Sequence, residues 1–496
     1  MLHLHPLVRE RWLTVLLVAA LTLSSCARIP TAPTQEPTLS APTPVDSSYQ
    51  PTPVPTRPVY KPGQLVNYIA QTGDTVPALA ARFNTTVDEI MVANPIIPKD
   101  ATTMPPGLPM KIPIYYRALW YSPFQILPDN AFVNGPALIG FNTSAFVAAH
   151  DGWLKNYRAY AGDAWRSGAE IVDYVATNFS ISPRLLLAIM EYQAGALSQP
   201  APPKTKYILG YQQLYYESVY LQLVGVANTL NNGYYGWRAG NLLEFDLPDT
   251  KIVRPDPWEN AGSVALLYFF SKIYSGDSYA LATGPKGFIA TYTKLFGDPW
   301  KDNTVLIPGS LHQPDLTFPF PPGQTWSFTG GPHTGFGKGL PLSAVDFAPP
   351  SEHHGCFAPD PQNYAVSMAD GLVVRSGPDG LVLDLDGDGD ERTGWVIYYL
   401  HLNVNGRAAA GQTLHTGDMI GYPSCQGGEA TGTHVHIARK YNGEWILADG
   451  VLPFNLEGWI THNGPVAYQG TLTRGGVTVT ACQCSDAASS IRSDSP

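Results

Sequence analysis

Charge is what this chain has least of. Asp, Glu, Lys and Arg make up 14% of its 496 residues, against about 25% in an ordinary globular chain. The 30 basic residues are outnumbered by 40 acidic ones, for a net charge of −10. A phosphate-binding surface needs clustered Lys and Arg, so no nucleic-acid partner is expected. Beyond a short N-terminal stretch, no apolar run reaches the roughly 20 residues of a membrane-spanning helix. Disordered chains are charge-rich and aromatic-poor; here aromatics are 11% and hydrophobic residues 44%, enough for sizeable cores. What is plentiful is 47 glycines and 46 prolines, which predict loops, turns and linkers. At about 100–200 residues per domain the length predicts two to four domains. Uncharged polar and aromatic surface would suit carbohydrate.

Arg9 and Arg11 precede an apolar run from Trp12 to Leu23, which ends in Leu23-Ser24-Ser25-Cys26. A basic start, a short apolar stretch and small residues at a cut describe a secretory signal over residues 1–25. The ending resembles a bacterial lipobox. That resemblance implies a lipidated Cys26 and an exported protein, anchored at the cell envelope by acyl chains. An ordinary cleaved signal with an incidental cysteine is the other reading. Residues 26–62 are dominated by Pro, Thr and Ser and read as an extended spacer. Four further cysteines fit an exported chain with disulfides. Cys356 and Cys425 fall within one domain and form the preferred pair. Cys482 and Cys484 are one residue apart, which strains a mutual bond, so they are expected to stay free or pair elsewhere.

Residues 63–115 form a small unit. A strand at Val66–Ala70 precedes helices near Val76–Phe83 and Val87–Ala93. Thr86 and Glu89 have capping-box spacing, and a strand closes the unit at Pro109–Ile114. This layout resembles the LysM domain, through Gly73-Asp74-Thr75, Asn94-Pro95, Pro106-Gly107 and Ile112-Pro113. The resemblance implies binding of N-acetylglucosamine-containing glycans such as peptidoglycan, with Gly73, Asp74, Thr75 and Asn94 as candidate contacts. Residues 116–310 read as helical, with helices over Arg184–Glu191 after a Ser182-Pro183 cap, Tyr211–Leu230, Trp258–Tyr274 and Pro285–Phe296. The run Ser182–Gly195 resembles a catalytic helix of lysozyme-like transglycosylases. Gln193 stands where those enzymes carry Glu, and an amide cannot protonate a glycosidic oxygen. Glu191 is turned about 200° away. A degenerate, noncatalytic auxiliary domain is expected. Gly233-Tyr234-Tyr235-Gly236-Trp237 offers sugar-stacking rings or core.

From residue 318 to 470, short alternating runs broken by Gly and Asp-Gly predict an antiparallel β domain, followed by a tail over 471–496. The whole is a multidomain α+β chain. Seven of the twelve histidines fall between 333 and 436. In Thr433-His434-Val435-His436-Ile437 a strand places both imidazoles on one face and Val435 and Ile437 on the other. Gly330-Gly331-Pro332-His333, Asp346, His401 and Gly427-Gly428 accompany it in order. Together they resemble the M23 zinc metallopeptidases. The thirteen-residue step from His333 to Asp346, and Cys425 before the two glycines, point to the β-lytic and staphylolytic branch. The resemblance implies one zinc held by His333, Asp346 and His436, leaving a place for water. It also implies proton transfer by His434 and oxyanion stabilisation by His401, aided by Tyr399. His353 and His354, in a Pro-rich loop, are competing ligands read as surface residues, and His415 as a turn residue. Asp384, Asp386 and Asp388 match the start of a calcium loop, but Trp395 holds the twelfth place; a solvated hairpin is the alternative.

The expected function is hydrolysis of the peptide cross-links of bacterial peptidoglycan by an envelope-anchored zinc endopeptidase. Its rivals are a noncatalytic wall-binding lipoprotein that recruits other hydrolases, and a bifunctional enzyme that also cleaves glycan.

Overall fold

A computed structural model describes residues 57–494 apart from Leu119, Leu214 and His354. Cys26, the signal and most of the spacer lie outside them. Among the described residues no helix is long and apolar enough to cross a membrane.

The first unit pairs β1 (Gln64–Ile69) antiparallel with β2 (Pro109–Ile114), around α1 (Val76–Arg82) and α2 (Val87–Ala93). Thr75 caps α1 by accepting from Ala78 N, and Thr86 and Glu89 form the reciprocal capping box on α2. Tyr68, Leu79, Phe83, Ile90 and Ile112 fill the core.

The second unit is built on α3 (Gly168–Phe179), α4 (Pro183–Ala194), α5 (Val219–Arg238), α6 (Ala261–Phe270) and α7 (Phe288–Phe296). Ser182 caps α4 with Pro183 in its first turn, and Gly195 ends it with φ 56°. α5 begins eight residues later than the apolar spacing predicts. Ser218 caps it instead. The Gln222 side chain bonds the backbone of Leu209, Tyr211 and Tyr216, folding the preceding segment back as a loop. Gly233 lets α5 approach α6: a Cβ there would stand 2.7 Å from Ala265 Cα. Tyr234, Tyr235 and Trp237 are buried, so the aromatic cluster is core.

The third unit centres on an antiparallel sheet. Its strands are β3 (Thr325–Thr334), β4 (Leu342–Ala348), β5 (Gly371–Gly377), β6 (Gly380–Asp384), β7 (Trp395–Leu400), β8 (Thr413–Leu414), β9 (Val435–Tyr441) and β10 (Ser490–Arg492). The order across the sheet is β8-β5-β6-β7-β9-β4-β3-β10. The expected tail is therefore part of the fold. Gly470–Arg474 and Val477–Thr480 form a hairpin turned by Gly475-Gly476, and β10 pairs with β3. One face of the sheet carries Val345, Phe347, Ile397, Tyr399, Val435 and Ile437 in a core with Phe318 and Trp326. The other carries Ala344, Val382, Val396, Tyr398 and Ala438, buried against the helical unit.

Arg238, at the end of α5, joins the three units. Its guanidinium donates to the Thr72 carbonyl of the first unit and to the Tyr234 hydroxyl (2.9 Å). It pairs with Asp129 (3.1 Å) and with Glu444 of the third unit (2.9 Å). Arg238, Tyr234, Asp129 and Glu444 are buried; burial raises the Glu444 carboxyl, and Arg238 opposes that rise. Removing one partner of a buried pair strands the other. Arg238→Met is therefore expected to cost about 3–5 kcal/mol, read as a lower urea midpoint of the full chain. Arg238→Met combined with Glu444→Leu should recover part of that loss. A single substitution without effect would show that the units are held otherwise.

Candidate metal centre

β9 sits between β7 and β4, and the register sets His436 beside both Leu400 and Asp346. His436 and Asp346 thus lie on the face that also carries Ala438 and Ala344. His333 comes from β3, whose register slips between Gly330 and His333. The bulge re-aims the side chain, and Gly330 leaves room for the carboxylate: a Cβ there would meet Asp346 Oδ2 at 2.4 Å. Ligand atoms of His333, Asp346 and His436 lie within 4.8 Å of one another. His333 Nε2 is 3.0 Å from His436 Nδ1, and each is 3.2 Å from Asp346 Oδ1.

Backbone carbonyls fix where the ring protons are. His333 Nδ1 lies 2.8 Å from the Gly331 carbonyl and His436 Nε2 lies 3.0 Å from that of Gly335. A carbonyl only accepts, so these nitrogens carry the protons in neutral rings. The opposite nitrogens are bare, and they converge on the carboxylate. Asp346 Oδ1 is buried and makes no hydrogen bond. Burial alone would raise this carboxyl, but positive charge on His333 or His434, whenever either ring gains a second proton, holds it well below its usual range. Burial lowers His436, keeping it neutral. Two lone pairs and an ionised oxygen facing one point, with no proton between them, repel unless a cation lies there. This donor set fits a metal ion with nitrogen and oxygen ligands.

His434 and His401 stand beside the group. His434 Nδ1 donates to the Gly432 carbonyl (2.7 Å), and its Nε2 is 3.7 Å from Asp346 Oδ2. His401 Nδ1 donates to the Gln426 carbonyl (2.8 Å), and its ring centroid is 4.4 Å from that of His434. Burial and the neighbouring imidazoles push His401 down to about 3. With Nδ1 on the carbonyl, the neutral ring presents Nε2 as a hydrogen-bond acceptor. His401 has φ 62°, which ends the alternation of β7. Tyr399 consequently does not join it: its hydroxyl accepts from Met368 N in the opposite core. The Cys356–Cys425 disulfide braces this corner. Gly355 O accepts from Thr433 N, and Ser424 donates to the His401 carbonyl.

Tyr468 escaped the sequence reading. Its ring stacks on His333 (centroids 4.1 Å, 20°) from the loop between Trp459–Asn463 and Gly470–Arg474. The only signal was a Tyr-Gln-Gly turn at the expected end of the domain. His353 is exposed and outside the group, His354 is not among the described residues, and His415 is an exposed partner of Asp370. Asp384, Asp386 and Asp388 do cluster. Backbone amides of Asp386, Asp388 and Gly389 bond within the cluster, which accounts for the hairpin without an ion. Cys482 and Cys484 are bonded to each other, contrary to expectation; the turn brings their Cα atoms to 5.1 Å.

The glycan candidates all have partners within the fold. Asp74 is buried and accepts from Tyr68, Gln71 N and Arg82. Gly73 has φ +72°, and a Cβ would clash with Arg238 at 2.6 Å. Asn94 bonds Ile90 and Lys111 backbone, and Thr75 is a helix cap. Gln193 Oε1 accepts from the Tyr274 hydroxyl, and Glu191 from Leu197 N.

Comparison with known proteins accords with this arrangement. Residues 68–113 match the LysM domain model, and residues 125–309 match that of the LasA N-terminal domain. The latter replaces the lysozyme-like comparison for the helical unit. Protease LasA of Pseudomonas aeruginosa is 26% identical over 318 residues, covering 60% of this chain and 72% of its own. The beta-lytic metalloendopeptidase of Lysobacter enzymogenes is 30% identical over 145 residues, covering 27% of this chain and 74% of its own. Among solved structures, the M23 metalloprotease pseudoalterin from the deep sea aligns at 21% identity and a TM-score of 0.29, over 34% of this chain and 96% of that one. The chain belongs to the beta-lytic metalloendopeptidases of the M23 metallopeptidase family, and it carries a LysM domain.

Proposed function

We propose that this metalloendopeptidase uses one zinc ion, held by His333, Asp346 and His436, to hydrolyse peptide cross-links of bacterial peptidoglycan. The observation that carries the reading is the convergence of two bare imidazole nitrogens and the unsatisfied Asp346 oxygen. The LysM match supports a wall substrate, as does the kinship with beta-lytic enzymes. Export and lipid anchoring through Cys26 complete the proposal; that residue lies outside the described structure. The ion, when bound, supplies Lewis acidity toward water and the scissile carbonyl.

The rest falls to the chain. The Gly331 and Gly335 carbonyls hold the two ligand rings in the required tautomers. Tyr468 keeps His333 from rotating. His434 Nε2, 3.7 Å from Asp346 Oδ2, takes the proton of the attacking water and passes it to the leaving amine. His401 Nε2 is a second acceptor that orients the same water, and it donates only after it has itself gained a proton.

Metal content tests the ligand set. Wild type is expected to hold one zinc per chain, and His436→Ala and Asp346→Ala far less. Equal zinc in all three would refute the assignment. A second measurement separates ligands from proton carriers. His434→Ala and His401→Ala should keep zinc while turnover of a wall-derived peptide falls by a factor on the order of 10²–10⁴. Intact cross-links after digestion by zinc-loaded wild type would remove the endopeptidase reading.

A further inference from the structure

Glycan recognition needs open surface, and part of the loops carrying the LysM motif is covered at Thr72, Thr102 and Thr103. Segment 307–311 crosses them. Thr72 exchanges hydrogen bonds with Ile307 (2.8 and 3.1 Å). Thr103 donates to the Pro308 carbonyl (2.6 Å), and Thr102 to that of Leu311 (2.7 Å). A further open face lies alongside β1, where it meets the helical unit across a cleft of about 1020 Å³.

This cleft has two walls. Asn67 and Ile69 come from β1; Phe124, Gln125, Asn260 and Trp300 come from the helical unit. Ile69 is 57% and Trp300 42% exposed. Single exposed apolar residues are ordinary, but these two line one concavity. Asn260 is only 5% exposed. Its amide nitrogen donates to Leu127 O (2.7 Å) and Asp129 Oδ1 (2.6 Å), while its Oδ1 has no partner. A buried acceptor left unpaired calls for a donor from outside. Of the three lining charges two are matched: Arg57 pairs with Asp256 and lies 3.8 Å over the Trp258 ring, and Asp129 pairs with Arg238, while the exposed Asp298 accepts from Trp300 N.

We propose that this cleft binds a strand of uncharged N-acetylated sugars, gripped between the LysM module and the helical unit. The inference rests on the wall-hydrolase reading and deepens it. A pyranose ring has an apolar C–H face bounded by hydroxyl groups. Aromatic and aliphatic surface interleaved with carboxamides matches both. At about 1020 Å³ the cleft has room for more than one ring. Charged wall peptide finds few free partners here. The site is shared, and neither wall alone supplies it.

The test is calorimetric titration of the full chain with tetra-N-acetylchitotetraose. Both exposed side chains can be removed without opening a core. Trp300→Ala, on one wall, and Ile69→Ser, on the other, are each expected to weaken binding at least tenfold. Hydrolysis of a short soluble wall peptide should be unchanged. Wild-type affinity in either variant would overturn the two-walled site. If wild type ignores the saccharide but still binds and cuts insoluble wall, the cleft assignment falls and the hydrolase reading stands. If wall is neither bound nor cut, both fall. Tighter binding of a peptide of residues 31–56 than of saccharide, to a chain lacking those residues, would give the cleft to the N-terminal segment and overturn the proposal.

Discussion

One guanidinium governs how the three units of this chain meet. Arg238 closes on a carbonyl of the LysM module, a carboxylate of the helical unit and Glu444 on the hairpin that extends β9. A buried ion pair is weak support for stability in itself, since desolvation offsets the attraction. Its worth here lies in direction. A planar fork with five donors accepts few alternative geometries, so docking in any other orientation would strand a charge. Gly73, which a motif reading assigns to ligand, and its neighbour Thr72 are shaped by this contact.

The metal centre follows a related rule at smaller scale. No ligand ring is oriented by another side chain of the set. Each is turned by a main-chain carbonyl, two residues away for His333 and on an adjacent loop for His436. Backbone placement is rigid where strands are paired, so the donor atoms converge before any ion arrives. The cost is a cluster of mutually repelling lone pairs, which is the usual condition of a preformed metal site.

Much of this was legible in the sequence. The order His333, Asp346, His401, His434, His436 and the strand period around Val435 were enough to locate the centre, because ligands on paired strands inherit a period of two. The same period failed at His401, where a positive φ breaks it, and so Tyr399 was misplaced. The LysM layout was readable from caps and turns. The roles of Asp74 and Asn94 were not, because a polar residue that folds a domain and one that binds a ligand look alike until the neighbours are known. α5 began late because Gln222 binds backbone outside the helix, a tertiary choice that apolar spacing cannot encode. Tyr468 depended on a loop returning across some 130 residues.

The short strand β10 has an implication of its own. A sheet border offers unpaired amides and carbonyls to any passing chain. At one border the last strand, Thr413–Leu414, has only two residues. At the other, β3 has ten, with Trp326 and Phe328 on it, and β10 covers its beginning. Proteolytic nicking before Ser490 would therefore leave the metal-binding register intact while uncovering a template for edge-to-edge association. Such a protein would fail by self-assembly before it failed by unfolding.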